Sequence, residues 1–302
     1  MMKTTDNMKL YSLLLYFTPR ADLELKKDLG ASLHAFFFNL LRGADKNYAS
    51  EVHTAAGTKP FTVSPVKIVD ENYLSSSSSY VSEANKNKRQ GRRYRSAVTV
   101  ISSGSLCQVR LTLLDARTFF SLAHGFIDGV HYLHINGVPV DIVQTQIVPD
   151  NHNCWAGYSE YRELWENAQP HNRVFMEFLT PTTFRQGDIN LPLPVPRLVF
   201  GSLAAKWRYF APEYELHPDL NQYLEQKLAL GRFNVRSAIL NYGRNRKYVG
   251  FEGTCTYILR GNTRDADTRE IIRQVNMLAN YAFYAGVGQK TTMGMGQARR
   301  YK

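Results

Sequence analysis

The order in which strand-like and helix-like runs alternate limits the fold of this chain more than any other feature. Leu10 to Tyr16 is rich in Leu and Tyr and halts at Thr18-Pro19, the pattern of a buried strand. In Ala31 to Leu41 the run LHAFFFNLL spaces its apolar residues at helical intervals, and Gly43 stands where a helix C′ residue is expected. Asp45 is placed to N-cap a second, shorter helix over KNYASEVHTAA, which Gly57 closes. Strand-like runs follow at Phe61 to Val63, Ala97 to Ser102 and Leu106 to Leu113.

Strand, helix, strands, helix and strand in that order fit a ferredoxin-like (RRM-like) half ending near Val140 to Val148. DNHNCWAG, Asp150 to Gly157, reads as a connector. Beyond it come a helix at Tyr158 to Asn167, strands at Val174 to Leu179 and Tyr248 to Leu259, and a helix from Arg269 to Tyr284. The expected fold is α+β: two tandem ferredoxin-like halves, residues 1–149 and 150–302, with a glycine-rich loop at the C-terminal end. Between the early strands lie SSSSSY and NKNKRQGRRYR, in the segment Ser75 to Arg95. Such a stretch cannot pack into a core and reads as an exposed, mobile loop, either a solvated charge run or a basic arm that meets phosphates.

A 44% hydrophobic share with 12% aromatics is enough for a real core. The 37 Lys and Arg against 26 Asp and Glu give a net charge of +11, a surface that draws polyanions, nucleic acid first. The longest apolar runs are too short to cross a bilayer, and MMKTTDNMKLYS lacks the apolar stretch of a signal peptide. Three scattered cysteines, Cys107, Cys154 and Cys255, fit a reduced cytoplasm better than a disulfide framework or a zinc knuckle. The expectation is a soluble cytoplasmic protein without a membrane partner.

The last seventeen residues, GVGQKTTMGMGQARRYK, suggest a phosphate grip. A P-loop needs Lys directly after its second glycine and a long helix after that, whereas Gln289 follows Gly288 and only a dozen residues remain after Lys290. A Rossmann G-x-G-x-x-G fails as well, since the glycine after Gly286 and Gly288 is Gly294. Nucleotide hydrolysis is thereby disfavoured. Glycines at Gly286, Gly288, Gly294 and Gly296 still permit φ > 0, close backbone approach and N–H groups turned toward phosphate oxygens, with Lys290, Arg299 and Arg300 adding charge. A plain turn into a last strand is the simpler alternative.

GVGQKTTMGMG resembles the C-terminal glycine-rich loop of the CRISPR-associated repeat-processing endoribonucleases, the Cas-six family of the RAMP superfamily. Three further stretches agree in order: ASLHAFFFNLLRGADKNYASEVHTAAGTKPFTVSP, FLTPTTFRQGDINLPLPVPRLVFGSLAAKWRYFAP and KYVGFEGTCTYIL. The resemblance covers nearly the whole chain. It implies a protein that binds CRISPR repeat RNA and cuts precursor CRISPR RNA once per repeat without a metal or other cofactor. The 2′-OH attacks the adjacent phosphate and leaves 2′,3′-cyclic phosphate and 5′-OH ends. Family members hand the product to an effector complex; monomer and homodimer both stay open. A catalytically inactive RNA-binding subunit of the same fold is the rival reading.

That reaction needs a base, an acid and positive charge at the phosphate. Histidine suits the first two roles and lysine the third. The resemblance assigns His53, in the helix before Lys-Pro-Phe-Thr, and Lys59 to the site; His34 matches a second histidine used by some members. Phe38 stands where other members carry a Tyr and has no proton to give, so its role passes to His34. A core-edge residue at His34 and a solvent-facing one at His53 are the structural alternatives, and which histidine is the base stays open. For RNA contacts the loop supplies Gly286, Gly288, Lys290, Thr291, Gly294, Gly296 and Arg299. Lys206, beside Trp207 on a helix, and the basic region with Arg232, Arg236, Arg244, Arg246 and Lys247 are further candidates, an ordinary charged helix face being the alternative. His124, His131, His134, His152 and Cys154 lack the companions a metal site requires, so no metal ligands are assigned.

Overall fold

The computed structural model describes residues 8–25, 29–69, 99–127, 133–149, 154–242 and 246–301. The segment Ser75 to Arg95 lies outside the described residues, as do Arg244, His131 and His152. In chain order come strands β1 (Lys9–Pro19) and β2 (Leu23–Leu25), helices α1 (Leu29–Ala44) and α2 (Lys46–Thr54), and strands β3 (Phe61–Val63), β4 (Lys67–Ile68), β5 (Thr99–Ile101) and β6 (Cys107–Leu113). Helix α3 (Ala116–Ile127) and strands β7 (Leu133–Ile135), β8 (Val138–Gln146) and β9 (Gly157–Glu160) follow. Then come α4 (Tyr161–Asn167), β10 (Arg173–Thr182), the hairpin β11 (Phe184–Gln186) and β12 (Ile189–Leu191), α5 (Pro196–Phe210) and α6 (Leu220–Gln226). The long strands β13 (Leu228–Tyr242) and β14 (Arg246–Leu259), helix α7 (Ala266–Ala285) and a short β15 (Ala298–Arg300) end the chain.

Two antiparallel sheets carry the architecture. One runs β3-β6-β1-β8-β7, with β4 also on β6 and β9 on β1; the other runs β13-β14-β10-β15. β1 is buried along almost its whole length because both of its faces are covered. Leu13, Leu15 and Phe17 join the core beneath α1, while Leu14 and Tyr16 pack with Leu106, Val69 and Ala156 on the opposite side. Phe36, Phe37 and Phe38 on α1 are essentially sealed from solvent. Each such ring contributes on the order of 1.5–3 kcal/mol by leaving water. The second sheet packs its own core against α5 and α7, with Val174, Met176, Phe200, Trp207 and Tyr281 fully buried.

Three local expectations are corrected. Helix α1 runs through Gly43 to Ala44, and Gly43 is not among the positive-φ glycines. The chain passes straight into α2, whose N-cap Asp45 accepts from the Tyr48 amide, so no left-handed C′ residue is needed. Tyr158 is a strand residue paired with Tyr11, and the helix starts only at Tyr161 behind a Glu160–Glu163 capping box. Arg232 and Arg236 lie not on a helix face but on a 15-residue strand, β13, whose register shifts between Leu230 and Phe233, while Arg246 and Lys247 open β14.

The sheets meet at a polar seam. β6, CQVRLTL, alternates in sequence like a strand with one wet face, yet every residue of it is buried. Its polar side chains point at the second sheet and α7. Arg110 donates from Nε to Ser12 Oγ (2.8 Å) and the Trp155 carbonyl (3.1 Å), and from its terminal nitrogens to Gln297 Oε1 and the Phe283 carbonyl. Thr112 donates to the Tyr284 carbonyl at 2.6 Å, and Gln297 donates to Thr62 at 3.0 Å. The acceptors around Arg110 are two carbonyls, a hydroxyl and an amide oxygen, none of them a carboxylate. Burial pushes its guanidinium down to about 9.

Candidate active site

The site begins with two helices held at a fixed angle. On α2, Tyr48, Ala49 and Val52 are buried against the core. Tyr48 hydrogen-bonds Thr118 at 2.7 Å, and Arg117 covers its ring while gripping Glu51 with two bonds. His53, one turn beyond buried Ala49, stands at the end of that pinned face, exposed to solvent. On α1, His34 and Phe38 are one turn apart and point the same way. The imidazoles of His34 and His53 come together with ring centroids 6.3 Å apart. Phe38 touches both, at 4.8 Å from His34 and 5.0 Å from His53, and Phe61 backs the group.

His34 is half-buried, and its pKa is held below the ordinary imidazole value of 6.5. Burial is the main cause, followed by the positive charges of His53, Lys59 and Lys290. This residue is therefore fitted to take a proton near neutral pH. Lys59 sits differently from a free phosphate ligand: its Nζ donates to the carbonyls of Val52 (2.8 Å), His53 (3.0 Å) and Ala55 (2.5 Å). It thus closes the C-terminal end of α2, where a cation meets the negative pole of the helix. Its own pKa is lowered by burial.

The glycine-rich loop arrives from the other half. Gly294 lies against Leu33, next to His34 in sequence, and against Pro65 and Leu240. Lys290 holds a left-handed conformation (φ 58°) at the head of a 3-10 turn over Thr291–Met293, and its charge is felt at His34. Its ammonium lies 5.6 Å from the Tyr248 ring centroid. The loop therefore brings one half-exposed cation toward the histidine pair.

Several expected RNA contacts are placed otherwise. The amides of Gly286, Gly288 and Gly296 donate to Ala282 O, Ser202 Oγ and Pro181 O, so these three N–H groups are not turned toward a phosphate. Their glycine character is needed for positive φ and close approach: a Cβ at Gly288 would overlap the Thr183 carbonyl. Thr291 and Gly294 are buried. Lys206 is buried too, with Nζ on Ala285 O (2.7 Å) and Gly286 O (3.1 Å), so it does not offer its charge to a ligand. Arg299 is half-buried, pairs with Glu177 at 2.7 Å and lies over Trp155. Arg232 is exposed on β13, and Arg236 next along pairs with Glu252 at 3.3 Å. Among the described residues no group of three or more His, Cys, Asp or Glu is placed to hold a metal ion, and no helix is long and apolar enough to cross a membrane. His124 is exposed on α3, and His134 lies on β7.

The seam residues Arg110, Thr112, Thr62 and Gln297 were not among the sequence candidates. The available signal is the alternation in QVRLTL, where an arginine and threonines occupy one face of an otherwise apolar strand.

Two antiparallel sheets joined in this way, with helices packed on them, define a protein of two ferredoxin-like halves. The fold matches a solved Cas6 product complex with a TM-score of 0.76 at 24% identity, over 97% of this chain and 100% of that one. It matches Thermus thermophilus Cas6 with a TM-score of 0.68 at 23% identity, over 99% and 100%. The model for the CRISPR Cas6 N-terminal domain fits residues 9–166, and that for CRISPR-associated endoribonuclease Cas6 fits residues 176–298. The chain belongs to the CRISPR-associated Cas6 family. It is 38% identical over 133 residues to a CRISPR-associated endoribonuclease Cas6 of Mycobacterium tuberculosis, covering 44% of this chain and 40% of the relative. To that of Streptococcus thermophilus it is 26% identical over 141 residues, covering 46% and 55%. The matched stretch thus spans about half the length of these relatives.

Proposed function

We propose that this protein is an endoribonuclease that binds CRISPR repeat RNA and cuts precursor CRISPR RNA without a metal ion. The observation that carries this reading is the 6.3 Å approach of His34 and His53 across two helices, close enough for both imidazoles to reach one phosphodiester. His34, kept neutral by burial and neighbouring charge, takes the proton from the 2′-OH. The freed oxygen attacks the adjacent phosphorus, and the bond to the 5′-oxygen breaks. His53, exposed at the mouth, gives a proton to that leaving oxygen. The products are a 2′,3′-cyclic phosphate and a 5′-OH end. Lys290 stands on the loop side of the pair and offers positive charge to the phosphorane-like transition state. Lys59 acts by holding the end of α2 on which His53 sits.

In this reading residues 1–149 carry the acid–base groups. Residues 150–302 supply the glycine-rich loop and the exposed basic surface at Arg232. The cleaved RNA passes to an effector complex in the cytoplasm. The test is incubation of labelled repeat RNA in excess EDTA, alongside RNA with a 2′-deoxy substitution at the cut. Cleavage in EDTA and none of the deoxy RNA is expected. Loss of cleavage in EDTA would overturn the metal-free chemistry, and cutting of the deoxy RNA would overturn attack by the 2′-OH. RNA bound but never cut would leave a binding subunit instead.

A further inference from the structure

Helix ends leave their last carbonyls without intrahelical donors, and the amides just beyond the end commonly turn back to meet them. At the end of α7 only the Gly286 amide does so, onto Ala282 O. The next three amides are taken elsewhere: Val287 by Gly296 O, Gly288 by Ser202 Oγ and Gln289 by Thr183 O. Those bonds shape the glycine-rich loop, and they leave the helix end short of donors. Lys206, from α5, supplies one. Its Nζ donates to Ala285 O at 2.7 Å and Gly286 O at 3.1 Å, and stands 3.5 Å from Thr291 Oγ1.

One amine thereby ties three parts together: the end of α7, the first glycine of the loop, and the residue that follows Lys290. A lysine at a helix C-terminus also meets the negative pole of the dipole. We propose that Lys206 is a positioning residue for RNA cleavage, its Nζ fixing the glycine-rich loop so that Lys290 stands beside His34. The kinetic part of this assignment rests on the endoribonuclease reading; the fixing of the loop does not. Burial, with hydrogen-bond partners that are neutral, brings the amine down to about 7. The site thus retains a lysine for its hydrogen bonds and its reach, not for a charge offered to solvent.

The test combines two measurements on the full-length chain. Amide hydrogen exchange over residues 286–296 is compared between wild type and Lys206→Met without RNA. Single-turnover cleavage of labelled repeat RNA is compared among wild type, Lys206→Met, Lys290→Ala and the double variant. Lys206→Met is expected to speed loop exchange and to slow cleavage, each by about tenfold or more. In the Lys290→Ala background the same substitution should change cleavage by less than about threefold, because both act through one loop. Unchanged loop exchange, or effects that multiply, would overturn the assignment. Should Lys206→Met fail a thermal-unfolding check, Lys206→Gln takes its place and must show the same non-additivity. Wild type that never cuts the RNA would overturn the endoribonuclease reading, and the exchange arm then decides the Lys206 assignment alone.

Discussion

The ring of Phe38 stands edge-on to that of His53, with centroids 5.0 Å apart and planes at 78°. Phe38 also touches His34, one helical turn before it, at 4.8 Å. A residue with no proton to exchange therefore forms the floor on which both titratable rings rest. It sets their spacing through packing, since an aromatic edge-to-face contact has a preferred geometry.

From this follows a pair of contrasting substitutions. His53→Ala should slow cleavage of repeat RNA by about 10²–10⁴, the usual loss for a general acid or base, with repeat affinity nearly unchanged. Phe38→Leu keeps the core apolar but removes the ring, and should slow cleavage by about tenfold as the imidazoles lose their shared support. Single-turnover rates and filter-binding titrations check both. Loss of binding in His53→Ala would make that residue an RNA contact or a structural one.

The charge state of His34 gives a pH prediction. Its pKa in the folded protein lies below 6.5. If His34 is the base, the ascending limb of the cleavage-rate profile should have its midpoint below 6.5. Between the folded value and 6.5 the unfolded chain binds a proton that the folded chain does not. Stability therefore rises with pH across that window and declines as pH falls through it. A rate profile with a matched imidazole NMR titration tests this, and a midpoint at or above 6.5 in either would rule the assignment out.

Arg110 binds four acceptors, reaching across to Gln297 and Phe283, and its removal leaves the Phe283 carbonyl and the Gln297 amide oxygen without that donor. Arg110→Met should cost about 3–5 kcal/mol of stability by chemical denaturation, from unmet polar groups and imperfect packing. Exposed Arg185, whose ion pair with Asp188 lies at the surface, provides the comparison. Arg185→Met should change stability by less than about 1 kcal/mol.

Gly288→Ala places a methyl group on the Thr183 carbonyl at a residue with φ 75°. The loop must shift to accommodate it, so cleavage should fall by about tenfold or more. Gly187→Ala imposes a comparable φ of 56° in open space, on the hairpin between β11 and β12. It should cost about 1 kcal/mol of stability and leave cleavage intact. Equal activity of the two variants would remove the close approach at Gly288 from the account.

Much of the first half was legible in the sequence because its signals are local. β1, the phenylalanine-rich helix and the Asp45 cap each follow from a few neighbouring residues, whereas Gly57 does not close α2, which ends at Thr54 with Ala55 as its C-cap. The proximity of His34 and His53 was readable for the same reason, since a tight connection joins their helices. What escaped depends on partners far away in the chain. Gln108, Arg110 and Thr112 lie in a run legible only as a strand, and the sheet and α7 that cover them are distant in the chain. Lys206 read as an exposed cation because its acceptors lie about eighty residues later. The loop glycines read as phosphate ligands because nothing local reveals that Pro181, Ser202 and Gly296 engage the amides of that segment.

Gln297 meets Arg110 and Thr62 through its side chain and Thr180 through its amide, so strands from both sheets converge on one residue near the chain's end. A protein joined in this way resists modular exchange. A chimera that grafts the second half of a relative, to alter which RNA is gripped, must bring the opposing faces of β3 and β6 along with it. Otherwise the two sheets will fold beside each other without joining.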